Sequence, residues 1–330
     1  MPPSFNYIKA DSISNAIREL KTDHSVLIAG GTDLAGCLRD GIIRADRVIS
    51  ISWLDDFKGI RITSDGTTHI GSLTPVQKVA DHEHIRKQYR VLSMAASEVG
   101  SPQLRNQGTI GGNICQKPRC WYYRGDFNCR RKGGKICYAA AGENRFHAIF
   151  GGHGCFIVHP SDTASALMVL DASVLIMSDG EVKSIPLQDF FVLPEKDVTR
   201  ENILEHGDVI TEIVIPPSRN GTASSYRKVR SRGSWDFATA GTAIALTFRE
   251  NRVDSVRIVL SGAAPIPWRL TEAEEAITGS ELGEKDIEKA CEIALQGAQA
   301  LSQNKYKIEL FKGIIEEELT DLKKRSSGKA

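Results

Sequence analysis

Five of the chain's seven cysteines, Cys115, Cys120, Cys129, Cys137 and Cys155, fall in one polar, glycine-broken stretch. On one side it is bracketed by Gly108-Thr109-Ile110-Gly111-Gly112-Asn113, on the other by His159-Pro160-Ser161-Asp162. Such a segment cannot build a core of its own, so its thiols must have another use. Disulfides suit short secreted chains that lack a core, whereas this chain has 330 residues, 41% of them hydrophobic, and an odd cysteine count. Structural zinc usually announces itself with close C-x2-C pairs, and no such pair occurs here. Zinc therefore ranks second. An iron–sulfur cluster needs four thiolates that converge in space and tolerates wide spacing, because folded loops do the converging. Cys120, Cys129, Cys137 and Cys155 fit that need. Arg119, Arg124, Arg130, Arg131, Lys132 and Lys135 crowd the same loop, and cations lower a nearby thiol's pKa and offset thiolate charge.

The rest of the composition excludes several classes. With 42 basic and 41 acidic residues the net charge is +1, so nothing suggests a nucleic-acid or membrane surface. The most apolar run, residues 164–177, is broken by Asp171 and does not reach spanning length. The first residues, from Met1 to Tyr7, carry neither the apolar core of a signal peptide nor a twin-arginine pair, which gives a cytoplasmic expectation. The length suggests two or three domains.

Ile13, Ala16, Ile17 and Leu20 recur at helical spacing, with Asp11 or Ser12 as the cap. Next, Val26-Leu27-Ile28-Ala29 reads as a strand running into Gly30-Gly31-Thr32-Asp33 and then a helix over 34–39. Glycines at a strand-to-helix turn let backbone N–H groups surround a phosphate, although a glycine pair by itself is more often a tight turn. Residues 47–52 and 69–73 read as further strands of a small α/β unit, with a turn at Asp65-Gly66. Residues 80–96 read as one helix. Its His82 and His84 are two positions apart, so they cannot face one metal and are expected in solvent. The second glycine segment, 108–113, has too many small residues for a packed element. It suits a second contact on one long phosphate-bearing ligand.

Three segments, Leu27-Ile28-Ala29-Gly30-Gly31-Thr32-Asp33-Leu34, Thr109-Ile110-Gly111-Gly112-Asn113 and His159-Pro160-Ser161-Asp162, resemble in order the FAD-binding signatures of one family. It comprises the medium, flavin-carrying subunits of molybdenum hydroxylases, such as xanthine dehydrogenase, aldehyde oxidoreductase and carbon monoxide dehydrogenase. Residues 209–216, 226–229 and 235–238 continue the resemblance over essentially the whole chain. It implies an α+β fold: a two-part FAD-binding domain of the PCMH/vanillyl-alcohol-oxidase type over 1–217, divided near 57, and a C-terminal α+β domain over 218–330. The two glycine loops would hold the diphosphate, and Asp162, Ile210 and Lys228 would contact the rest of the cofactor. Where some members place an aromatic ring against the flavin, this chain has Val99-Gly100.

The insertion at about 115–158 resembles that of 4-hydroxybenzoyl-CoA reductase and periplasmic-type aldehyde oxidoreductases, whose flavin subunits hold an extra 4Fe-4S cluster. By that resemblance the ligands are Cys120, Cys129, Cys137 and Cys155, and Cys115 is the spare, able to replace Cys120 if the loop folds differently. The chain has no C-x4-C-x2-C run, so 2Fe-2S clusters are expected on a small partner subunit. The molybdenum cofactor and substrate chemistry are expected on a large one. The implied role is electron transfer through FAD to an external acceptor such as NAD. A self-contained FAD oxidoreductase and a non-catalytic zinc-loop interaction module are the alternatives.

Beyond Asp162 the pattern predicts a helix over 163–170, a strand over 173–177, and a boundary at Pro216-Pro217. A hairpin is expected over 243–248 and 252–260. Thr271-Glu272-Ala273-Glu274 has the form of a capping box, with Gly279 ending that helix. Helices over 286–300, with Cys291 on the buried face, and 306–322 precede a frayed tail over 325–330.

Overall fold

The computed structural model describes residues 4–326. The expectations for Met1 to Pro3 and for residues 327–330 lie outside them.

The N-terminal unit is a three-stranded parallel sheet, Asn6–Lys9, Arg47–Ser50 and Ser25–Ile28, with Arg47–Ser50 in the middle. Side chains alternate faces along a strand. Leu27 and Ile49 therefore pack with Ile17 and Leu20 of the helix Ile13–Leu20, while Val26, Ile28 and Val48 pack with Leu38 of the helix Leu34–Arg39. Ser12 caps the first helix, its Oγ accepting from Asn15 N at 3.2 Å. The strand expected near 69–73 is Thr68–Gly71, and it joins a different sheet.

That second sheet is antiparallel, in the order Ile60–Ile62, Thr68–Gly71, Val209–Ile215, Ser173–Ser178, Glu181–Pro186. Its core continues into the helices before and after the cysteine stretch. All eight residues of Asp162–Val169 are buried, as expected of a helix packed on every side. Residues 80–96 are not one helix but parts of three, Val76–Asp81, Glu83–Gln88 and Arg90–Ser97. The first break leaves His82 and His84 half-buried rather than fully in water. His84 Nε2 lies 3.0 Å from Thr68 Oγ1, and its ring meets Tyr89 edge-on.

The C-terminal sheet orders Trp268–Arg269, Arg252–Ser261, Ala240–Arg249 and Ala223–Val229 in antiparallel pairs. Helices Thr271–Ile277, Glu284–Ala294 and Tyr306–Ser326 share its core, with Cys291 fully buried. Ile149 and Phe150, from the end of the cysteine insertion, belong to this core too. No capping box forms at Thr271, because Glu274 turns away to accept from Ile258 N at 2.8 Å and Arg269 Nη2 at 2.9 Å. Arg325 and Ser326, expected in the frayed tail, are helical. The architecture is α+β, as expected. Among the described residues no helix is long and apolar enough to cross a membrane.

Candidate functional site

The two glycine segments meet. A Cβ on Gly30 would sit 2.0 Å from Gln107 O, so only glycine lets these backbones abut. Gln107 Nε2 donates back to Gly30 O at 3.2 Å. Gly31 takes φ +71°, and among the described residues no hydrogen bond engages the amides of Gly31, Thr32 and Asp33. The second segment is not an open loop. Thr109 caps a short helix, Ile110–Ile114, accepting from Gly112 N at 3.2 Å, and Ile110 and Ile114 are fully buried. Small glycines allow this turn to press against Ser72.

Two chambers open on either side of this junction and share Thr32, Asp33, Thr109, Gly112 and Gln116 as a common wall. The first, about 330 Å³, is apolar, with Ile28, Ile43, Leu204 and Ile210 in its lining. The second, about 290 Å³, carries Asn113, Asp162, Lys228, Trp235 and Phe237. Of the predicted cofactor-binding residues, Ile110 alone lines neither; it points into the core. Val99 and Gly100 also line the second chamber, and the rings there come from Trp235 and Phe237 instead.

Side chains tie this trough together. Asn113 Oδ1 accepts from Ser161 Oγ at 2.6 Å and Thr163 Oγ1 at 2.7 Å, joining the second glycine segment to the Ser161-Asp162 turn. Lys228 Nζ donates to Asp162 Oδ2 at 2.7 Å and to Glu98 O at 3.0 Å. Tyr226 adds a hydrogen bond to Asp162 Oδ1 at 2.7 Å. Burial pushes the Asp162 carboxyl up and the Lys228 ammonium pulls it back. Lys228 is thus a paired cation, not a lone one.

Cys120, Cys129, Cys137 and Cys155 line one small cavity of about 10 Å³ with His147, Arg130 and Arg131. Cys115 instead lines the apolar chamber. All seven cysteines are free. Among the described residues no three His, Cys, Asp or Glu side chains converge tightly enough to share one metal ion. Four cysteines on one cavity supply the ligand number and the thiolate chemistry that a 4Fe-4S cluster takes. The gap has room for about one water, and a cluster would need the walls to part. Burial pushes Cys120 up to about 11 and also raises Cys155, against a lowering by Arg131. The neighbouring thiols add to both rises.

Three of the loop's six cations, Arg119, Arg124 and Arg131, pair with carboxylates outside it. Asp33 accepts from Arg124 Nη2 at 2.8 Å, Arg119 Nη1 at 2.9 Å and Lys117 N at 2.7 Å. Buried Glu201 holds Arg131 and, at 2.6 Å, Lys117 Nζ. The sequence marks Asp33 as a cofactor residue but not its insertion partners, and it gives no sign of Glu201, Tyr226 or His147 as members of the site. A lone Glu or Tyr in a loop or strand carries no local signal for a partner more than 60 positions away.

Residues 3–218 match the family described as FAD binding domain in molybdopterin dehydrogenase, and residues 224–318 match the CO dehydrogenase flavoprotein C-terminal domain. The chain belongs to the FAD-binding subunits of the molybdenum hydroxylases. It is 35% identical over 280 residues to the aldehyde oxidoreductase FAD-binding subunit PaoB of Escherichia coli K12, covering 83% of this chain and 86% of that one. With the nicotinate dehydrogenase FAD-subunit of Eubacterium barkeri it shares 28% identity, over 93% and 90% of the two chains. A solved carbon monoxide dehydrogenase chain from Hydrogenophaga pseudoflava superposes with a TM-score of 0.77 over 96% of both, at 23% identity, which speaks for the fold. As a molybdenum hydroxylase flavin subunit the chain binds FAD and is part of an oxidoreductase.

Proposed function

We propose that the trough holds FAD extended, its diphosphate against the amides of Gly31, Thr32 and Asp33 and the side chains of Thr109 and Asn113. The adenine then lies in the apolar chamber, within the walls formed by Leu27, Ile28, Ala29, Leu34, Gly111 and Ile210. The isoalloxazine lies in the chamber of Asp162 and Lys228. The observation that carries this is the abutment of Gly30 and Gln107, 77 positions apart in sequence. It places a row of free amides between two chambers, each near the lower end of the usual ~300–1,000 Å³ of ligand pockets.

Bound flavin supplies exchange between one-electron carriers and a two-electron partner. The chain's own residues bind and orient. The apolar walls keep water from one end, and the Asp162–Lys228 pair gives the other end fixed polar groups with little net charge. Ile110 contributes only by anchoring its turn in the core.

Cys120, Cys129, Cys137 and Cys155 are the proposed ligands of a 4Fe-4S cluster, supported by their shared cavity and by Arg130 and Arg131 beside it. Cys115 belongs to the flavin side. The proposed partners are a large molybdopterin-binding subunit and a small 2Fe-2S subunit, since this chain lacks the plant-type cysteine run. NAD is the proposed external acceptor. A cytoplasmic location is proposed, on an odd cysteine count that fits no disulfide framework.

Single Cys→Ser variants with iron counting test the ligand set. Cys129→Ser and Cys137→Ser should lose iron, whereas Cys291→Ser should keep it. Full iron in either of the first two rejects the assignment.

A further inference from the structure

His147 lies on the wall of the four-cysteine cavity, with its Nε2 3.2 Å from Cys120 Sγ. The residue is clamped. Its N–H donates to Asn144 O at 3.0 Å, and its carbonyl accepts from Asn304 Nδ2 and Lys307 Nζ, both at 3.0 Å. The Trp121 ring meets the imidazole edge-on at 5.5 Å between centroids, and Tyr122 tilts against it at 6.2 Å. Nδ1 is buried with no hydrogen-bond partner among the described residues. Nδ1 goes unpaired in either tautomer, so the proton belongs on Nε2, which faces an acceptor. A cysteine bound to iron carries no proton, so its sulfur can only accept.

Resting on the cluster ligation proposed above, we infer that His147 is a positioning residue that donates an Nε2–H···Sγ hydrogen bond to Cys120 and raises the cluster's reduction potential. Reduction adds a negative charge to the cluster. A donor aimed at one of its sulfurs stabilises that charged form, and such contacts are a recognised lever on potential. The clamp matters because a donor that must first be ordered gives part of its effect away. A side chain that only filled space between Trp121 and Tyr122 would leave the potential unmoved.

His147→Phe keeps a ring in place but removes the donor; His147→Gln keeps a donor. In a redox titration of the full protein in its native complex, followed by electron paramagnetic resonance, the Phe variant should show a more negative midpoint with iron and flavin counts unchanged. The Gln variant should recover part of the shift. An unchanged midpoint in a fully loaded Phe variant overturns the inference while leaving the cluster in place. Where the Phe variant fails to hold iron, wild-type protein carrying 15N only in histidine decides. A weak 15N coupling to the reduced cluster is expected, and no coupling overturns the inference. A wild-type chain that carries no iron once resolved from its partner subunits would overturn the ligation itself, a separate and distinguishable result.

Discussion

Asp33, on the first glycine turn, and Arg124, four residues beyond Cys120, form an ion pair at 2.8 Å across 91 positions of sequence. Arg124 also reaches Cys37 Sγ at 2.9 Å, and Arg119 shares Asp33 while stacking on Phe237. The cysteine insertion is thereby fastened to both chambers of the trough. Flavin retention should depend on a side chain that never touches flavin.

Arg124→Met tests that dependence. It leaves Asp33 with Arg119 and the Lys117 amide, so the loss should be partial. Removing one partner of such a half-buried, charge-assisted pair costs about 1–3 kcal/mol, which weakens flavin binding by ~10-fold per 1.4 kcal/mol. Flavin fluorescence during dilution measures it, and unchanged retention would separate the insertion from the cradle.

Gly30→Ala places a methyl 2.0 Å from Gln107 O. Backbone must move, at a cost of about 1–3 kcal/mol typical of overpacking. The protein should fold with a lower urea midpoint and release most of its flavin. Gly36→Ala, where a Cβ meets nothing within 4 Å, is the matched control and should keep both.

Lys228→Met strands a buried carboxylate. Asp162 would retain only Tyr226, and breaking a buried pair this way costs about 3–5 kcal/mol. The double variant Lys228→Met/Asp162→Asn should cost clearly less than the two single changes added together. Additive costs in urea unfolding would show that the two residues act independently.

These couplings mark the limit of what the sequence shows. The helix Leu34–Arg39 was legible to the residue, because a glycine turn and apolar spacing are local signals. The pair of long strands Ala240–Arg249 and Arg252–Ser261 was legible from two apolar runs flanking Glu250-Asn251, although the first begins three residues earlier than expected. The breaks at His82 and Tyr89 were not, since no glycine or proline marks them; the packing of Ile85, Val91 and Leu92 into one core decides them. Nor was the helical turn Ile110–Ile114 legible. Its glycines argue against helix, and burial of Ile110 and Ile114 overrides them. Arg119 and Arg124 were visible as cations near thiols, but their carboxylate partner is 86 and 91 positions away, and local spacing carries no trace of it.

Lys307 gives a pH signature. It is fully buried against the carbonyls of His147, Phe146 and Gly262, and burial lowers its pKa from 10.5 to about 7. Between those values the unfolded chain holds the proton and the folded one does not, so stability should rise with pH through that window and level off below about 7, where both states are protonated. Each unit of difference contributes ~1.4 kcal/mol. Urea midpoints from pH 6.5 to pH 10 (~3.5 units) should climb in the wild type relative to Lys307→Met. Parallel profiles would mean that Lys307 titrates as it does in water.

The most direct measurement is a count of flavin, iron, zinc and acid-labile sulfide on the chain, purified without air and resolved from its partner subunits. One FAD with four irons and four sulfides per chain, and no zinc, is the predicted result. A colourless chain that carries zinc, or one that carries neither flavin nor iron, would contradict it.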